Sequence, residues 1–220
     1  MKLIKKHIFK GTITLESGLH IGGSKSSMDI GGLDSSVIKT AKGIPYIPGS
    51  SLKGKMRSLL AMKEGANYIS LPKDSKLNDK QESNLLLKLF GCSDKGREQK
   101  TQLIFRDALL DVEKFKETFA NSELLVTEYT EEKYENTIDR LQGKARNGGL
   151  RQMERVPAGS IFNFEIVLDE YEGDNIEENI TTLKKGFELL QDDYLGGSGT
   201  RGYGKITINY TEPEAKSFSK

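Results

Sequence analysis

Alternating apolar and polar positions mark residues 160–168 (SIFNFEIVL) as the strongest strand in the chain and residues 7–15 (HIFKGTITL) as another. Residues 102–110 (QLIFRDALL) and 202–210 (GYGKITINY) read as two more. Helical spacing links Leu52, Met56, Leu59, Leu60 and Met62, behind Ser50 or Ser51 as a candidate N-cap. A shorter helix through Leu85, Leu86, Leu87, Leu89 and Phe90 stops at Gly91, and a longer one runs through Ile176, Ile180, Leu183, Phe187 and Leu190. Elsewhere the pattern is loose. Residues 16–49 are rich in Gly, Ser and Pro, 65–82 are polar, and 122–158 hold two weak strand patterns (LLVTEYT and LRQMERV) about a glycine-bearing centre. That last stretch predicts a projecting hairpin. The chain order predicts an α+β fold: a ferredoxin-like (RRM-like) βαββαβ core in one domain, 1–220, with insertions at about 64–100 (partly helical) and 122–158.

Composition adds little until it is placed along the chain. The 33 Lys+Arg and 32 Asp+Glu leave a formal charge of +1, which by itself advertises no polyanion partner. Yet residues 1–57 hold ten basic residues against Glu16, Asp29 and Asp34, and no acid occurs from 39 to 63. Residues 140–160 carry Arg140, Lys144, Arg146, Arg151 and Arg155 against Glu154 alone, while 164–193 hold ten acids and two lysines. The near-zero charge is a cancellation of blocks. The 23 glycines, above the usual share of ~7%, concentrate beside lysines, arginines and serines. Basic stretches of that kind suit a phosphate backbone.

Several classes drop out. A hydrophobic share of 35% over 220 residues suffices for a buried core. No window approaches the ~18 apolar residues of a membrane span, and the N-terminus lacks the apolar stretch of a signal peptide, so a cytoplasmic protein without membrane contact is expected. Cys92 alone makes no internal disulfide, and with only His7 and His20 beside it a zinc site is unsupported. Residues 49–56 (GSSLKGKM) imitate a phosphate-binding P-loop but put Met56 where the Mg²⁺-binding hydroxyl belongs. Residues 197–202 (GSGTRG) match a dinucleotide-binding pattern, but they follow a helix and open a strand, the reverse of what that site needs. A partial RNP1-like match at Arg201, Gly202, Tyr203 and Gly204 lacks the aromatic at Lys205.

What these loops retain is anion chemistry. Ser50, Ser51, Lys53, Lys55 and Arg57 lie at or near a helix N-terminus, which favours phosphate. Gly197, Ser198, Gly199 and Arg201 bring backbone N–H groups, a hydroxyl and a guanidinium together.

Taken together, the strings GLHIGG (18–23), LDSSVIK (33–39), IPYIPGSSLKGKMR (44–57), LFGCS (89–93), ARNGGLRQMERVPAGSIFNFEIV (145–167) and YLGGSGTRGYGKI (194–206) resemble a known family. It is the RAMP-superfamily backbone subunits of type III-A CRISPR effectors, the third subunit of Csm complexes. The resemblance implies copies of the chain stacked helically along a CRISPR RNA beside other Csm-complex subunits. It also implies a thumb hairpin, here 122–158, pushed between guide and target RNA, and divalent-metal-dependent cleavage of the target, with Mg²⁺ as the expected ion. The family's essential aspartate maps to Asp34 in LDSSV, with Ser36 where proline is common; Asp29 ranks behind it. An aspartate is a poor base at neutral pH, so Asp34 is expected either to hold the metal or to orient the RNA 2′-hydroxyl. Arg146, Arg151 and Arg155 are expected near phosphates, with Met153 as an apolar wedge. His20 is a candidate RNA contact; a loop-fixing role is favoured over a general base. Two other functions compete: a non-catalytic RNA scaffold of the same fold, and a nucleotide-binding enzyme using 49–56.

Overall fold

The computed structural model describes residues 2–23, 36–66, 82–93, 95–96 and 98–218. In chain order the elements are β1 (Leu3–Leu15), β2 (Tyr46–Ile47), α1 (Gly49–Lys63), α2 (Asn84–Phe90), β3 (Leu103–Phe105), β4 (Ala108–Leu110) and α3 (Val112–Phe119). There follow β5 (Leu125–Thr127), β6 (Thr130–Glu135), β7 (Ile138–Asp139), β8 (Lys144–Ala145), β9 (Arg151–Arg155), β10 (Ile161–Tyr171), α4 (Ile176–Asp192), β11 (Ile206–Tyr210) and β12 (Glu214–Ser217).

The main sheet runs β11-β1-β10-β4-β2, with β12 on β1 and β3 on β10, and its ladders are antiparallel. Its register explains the two strongest alternations. Phe9 lies opposite Ile166, and Ile13 opposite both Phe162 and Ile208, so one face is apolar. Helices α1 and α4 cover that face with Leu52, Met56, Leu60, Leu183, Phe187 and Leu190, all buried in the same core. Phe187 packs edge-on to Phe9 at 6.3 Å between ring centroids and beside Phe164 at 5.7 Å, which ties α4 to both central strands. The other face carries Lys10, paired with Glu165, and Lys6, paired with Asp169.

Several boundaries depart from the pattern. The predicted strand 102–110 breaks at Arg106–Asp107 because Asp107 turns aside and its carboxylate accepts the Gly49 N–H at 2.8 Å. Neither Ser50 nor Ser51 caps α1: Pro48 occupies the N-cap position, and Asp107 supplies the missing acceptor from a distant loop. Helix α3 was not expected, although Val112, Phe115 and Phe119 have helical spacing and Asp111 caps it by accepting from Lys114 N–H. Phe115 anchors it against Tyr129 at 5.4 Å. The final strand begins at Ile206 instead of Gly202, after a turn of 3₁₀ helix at Gly199–Arg201. Residues 124–130 are not one strand but a tight reversal from β5 into β6. Strand β6 then pairs with β9, and β7 with β8 farther along, making an antiparallel ribbon over 125–155. The shorter predicted helix appears as α2, capped by Ser83, which accepts from Leu86 N–H. The predicted polar stretch 65–82 lies largely outside the described residues.

Candidate nucleic-acid interface

Three segments distant in sequence meet at one end of the sheet. After β1 the chain lies against the end of β9: Leu19 and Val156 exchange both backbone hydrogen bonds, at 2.9 and 2.8 Å. The glycine-rich segment 194–205 lies beside it, with Gly197 N–H donating to His20 O at 2.8 Å and Gly204 N–H to Gly18 O at 3.1 Å. At Gly196 (φ +78°) a Cβ would stand 2.4 Å from His20 O, and at Gly204 (φ +70°) 1.9 Å from Leu195 O. These two glycines are demanded by the chain's own close approach before any ligand is considered.

The loop between β1 and β2 is pinned at both ends. Gly23 N–H donates to Ser36 O at 3.0 Å, and Ile38 N–H to Ile21 O at 2.8 Å. Asp34 and Asp29 fall between these ends and lie outside the described residues. Beneath the return leg sits Glu154, only 1% exposed. Its carboxylate accepts from Val37 N–H (2.8 Å), the Lys39 ammonium (2.5 Å) and the Thr130 hydroxyl (2.7 Å). Burial alone would raise its pKa, but the hydrogen bonds from Lys39, Thr130 and Val37 and the Lys39 charge together hold it below the usual value. His20 is buried, and its Nδ1 lies 2.7 Å from the Glu154 carbonyl oxygen. A carbonyl can only accept, so this nitrogen carries a proton.

The expected basic residues form three groups. Arg155 and Lys55 flank the glycine loop, standing over its Tyr203 and Tyr194, and the loop itself carries Gly197, Ser198, Gly199 and Arg201. Arg155 Nε donates to Glu131 at 2.6 Å. Arg201 donates to Glu135 (2.7 Å) and to the Ser198 hydroxyl (2.8 Å), and Ser198 holds φ +60°. Lys55 reaches across from α1 to Asp193 at 2.7 Å and stands 3.6 Å over the Tyr194 ring. The second group turns toward α2. Lys53 donates to Thr101, and burial, then the Arg57 charge, lowers its pKa. Arg57 grips Glu82 through two nitrogens. A polar cleft of about 410 Å³ opens there, lined by Arg57, Cys92, Ser93, Gln99 and Thr101. Ser50 is exposed at the start of α1, and Ser51 is half-buried. The third group, Arg146 and Arg151, is exposed on the ribbon. Met153 is half-buried on β9, opposite Lys133.

Lys133, Glu131 and Glu135 were not anticipated, and Tyr203 was expected only as part of the RNP1-like string. Glu131, Lys133 and Glu135 lie opposite Arg155, Met153 and Arg151, and cross-strand partners share a face of the ribbon. The stretch 130–135 (TEEKYE) has no apolar alternation to mark a strand, and nothing local indicates the strand's partner. Tyr203 is 1% exposed under Lys133 and Arg155, whose cationic groups stand 4.4 and 5.3 Å from its ring. Burial, with Glu135 beside it, pushes its hydroxyl up to about 12. The aromatic of the RNP1-like string is thus a buried support for cations and offers no face for a base.

The RAMP superfamily model matches residues 12–207. The chain belongs to the RAMP superfamily. Among RAMP proteins it is 46% identical to the "CRISPR system Cms endoribonuclease Csm3" of Methanocaldococcus jannaschii, over 91% of this chain and 77% of that protein. It is 45% identical to the protein of the same name from Streptococcus thermophilus, over 91% and 86%. A crystal structure of a Csm3-Csm4 subcomplex of the type III-A CRISPR-Cas interference complex superposes with a TM-score of 0.57 at 30% identity, covering 99% of this chain and 90% of the other. A type III-B Cmr-beta structure in the apo state shares the RAMP fold at a TM-score of 0.63 and 16% identity, covering 93% and 97%. Among the described residues no helix is long and apolar enough to cross a membrane.

Proposed function

We propose that this RAMP protein is a CRISPR-RNA-binding backbone subunit of a type III-A effector, working in the cytoplasm, and an endoribonuclease that cuts target RNA paired to the guide. The observation that carries this reading is 46% identity to a Csm3 endoribonuclease across nine-tenths of the chain. The strand order β11-β1-β10-β4, with α1 and α4 between its strands, supports a ferredoxin-like βαββαβ unit within a single domain, 1–220. Residues 122–158 would be the thumb inserted in it, and about 64–100 the second insertion.

The guide backbone would run along the glycine loop and α1, meeting Lys55, Arg155, Arg201, Ser198 and the N–H groups of 197–199, then Ser50, Ser51, Lys53 and Arg57. The ribbon, with Arg146 and Arg151, would separate guide from target and distort one target linkage. RNA carries its own nucleophile, the 2′-hydroxyl, so scission needs in-line geometry, removal of a proton and neutralisation of charge at the phosphate. His20 fits the loop-fixing role: its ring is buried and held by the Glu154 carbonyl. Among the described residues no group of three or more His, Cys, Asp or Glu side chains comes together to hold an ion. The expected ligand, Asp34, lies outside the described residues, and Mg²⁺ needs only one or two carboxylates beside water and phosphate. Asp34 remains the proposed residue for metal or hydroxyl. Further copies in a helical stack and other Csm subunits complete the assembly, a heterologous contact that does not close.

The deciding experiment is a cleavage assay with assembled particles carrying Asp34→Ala and a paired target RNA, with and without divalent ions. Cleavage is expected to disappear while guide and target binding stay near wild type. Retained cutting would show Asp34 to be the wrong residue; a wild-type particle that binds but never cuts would leave the non-catalytic scaffold.

A further inference from the structure

The cations around the glycine loop are already occupied. Lys55 holds Asp193, Arg201 holds Glu135, Arg155 holds Glu131, and Lys133 also lies 3.5 Å from Glu135. These pairs keep part of their surface in water, from 14% of the Glu135 side chain to 51% of the Arg201 side chain, and ion pairs near a surface add only modest stability. Asp193 is placed against a local rule. It follows the last turn of α4, which contains Asp192 and no basic residue, and the helix dipole disfavours carboxylates at that end. Lys55 compensates it from another element, with its ammonium also seated over Tyr194. A carboxylate meeting Arg201 or Lys55 presents the charge and the acceptor oxygens that a backbone phosphate would present.

We propose that Asp193 and Glu135 are specificity-determining residues that stand in for RNA phosphates at Lys55 and Arg201. This rests on the RNA path described above. A polyanion passing without phosphates at both points meets cations whose charge is already compensated and gains little from them. An RNA whose phosphates fall at both points displaces the two carboxylates together and gains both cations. The acids thus weaken binding of arbitrary RNA and favour a strand in the correct register.

The test uses the full chain and a labelled single-stranded RNA of unrelated sequence, titrated by fluorescence anisotropy across a salt series. Asp193→Asn and Glu135→Gln are each expected to tighten binding about three- to fivefold at low salt, from removing one like charge at near-contact distance in water. The log–log salt dependence should steepen by about 0.7 for each phosphate newly engaged. Unchanged or weaker binding by a variant that melts like wild type would overturn the proposal, because the acids would then only orient their cations. Lys55→Met and Arg201→Met run alongside and are expected to lose affinity. If those two bind RNA as well as wild type, the RNA path itself is wrong; if they weaken while the acid variants do not tighten, only the stand-in role fails. Asp193 and Glu135 report on separate cations, so one variant that misfolds leaves the other decisive.

Discussion

Replacing Glu154 tests how the loop between β1 and β2 is held. The side chain is 1% exposed and accepts three hydrogen bonds, from Val37 N–H, Lys39 and Thr130. Glu154→Ala strands a buried backbone N–H, leaves the Thr130 hydroxyl with Thr127 alone, removes the counter-charge of Lys39 and leaves a cavity. Breaking a buried, paired group in this way costs about 3–5 kcal/mol. Glu154→Gln keeps the volume and one acceptor. Because the Lys39 side chain is 27% exposed and can return to water, the loss there should be smaller, about 1–3 kcal/mol. At roughly 2–4 °C per kcal/mol for a chain of this size, the alanine variant should melt about 6–20 °C lower. Urea unfolding with a common m-value measures both. The pH dependence adds a second readout. The folded carboxyl titrates below its unfolded value of about 4.5, so its contribution is full above that pH and is lost as the pH falls through the folded pKa. The glutamine variant should therefore lose less stability than wild type on acidification. Equal stabilities and equal acid limbs would refute the claim that this carboxylate clamps the loop.

Two further substitutions test the fold around the site. Asp107→Ala should cost about 1 kcal/mol in urea unfolding through loss of the cap on α1, and Asp107→Asn should recover most of it, since asparagine also accepts the Gly49 N–H. Gly204→Ala, whose Cβ would lie 1.9 Å from Leu195 O, should destabilise far more than Gly202→Ala, where φ is also positive (+87°) but nothing lies within 4 Å. The Gly202 variant should lose only about 1–2 kcal/mol for a left-handed conformation, and equal losses would mean that the close approach at Gly204 is relieved elsewhere.

Local signals carried much of the fold and part of the site. Period-two alternation found β1 and β10 because each has one face on the core, and the spacing of Leu183, Phe187 and Leu190 found α4 for the same reason. It failed where a strand is too short to alternate, as at β2 and β12, and at α3, an eight-residue helix marked only by a capping aspartate and spaced aromatics. Glu154 was visible as the lone acid in a basic stretch, yet its burial was not. The clusters of glycine, serine and cation pointed to an anion-binding surface, and their order along the chain pointed to the family. Local pattern thus placed the long strands and helices with their apolar faces, and motif order placed the kinship. Tertiary structure alone decided the partners: Asp107 caps a helix 58 residues away, Glu154 holds Val37 across 117, and Glu135 meets Arg201 across 66. Propensity and periodicity report what a residue does within a few neighbours, whereas a buried carboxylate or a compensated cation depends on which strand lies alongside. That choice is made by the packing of the whole core.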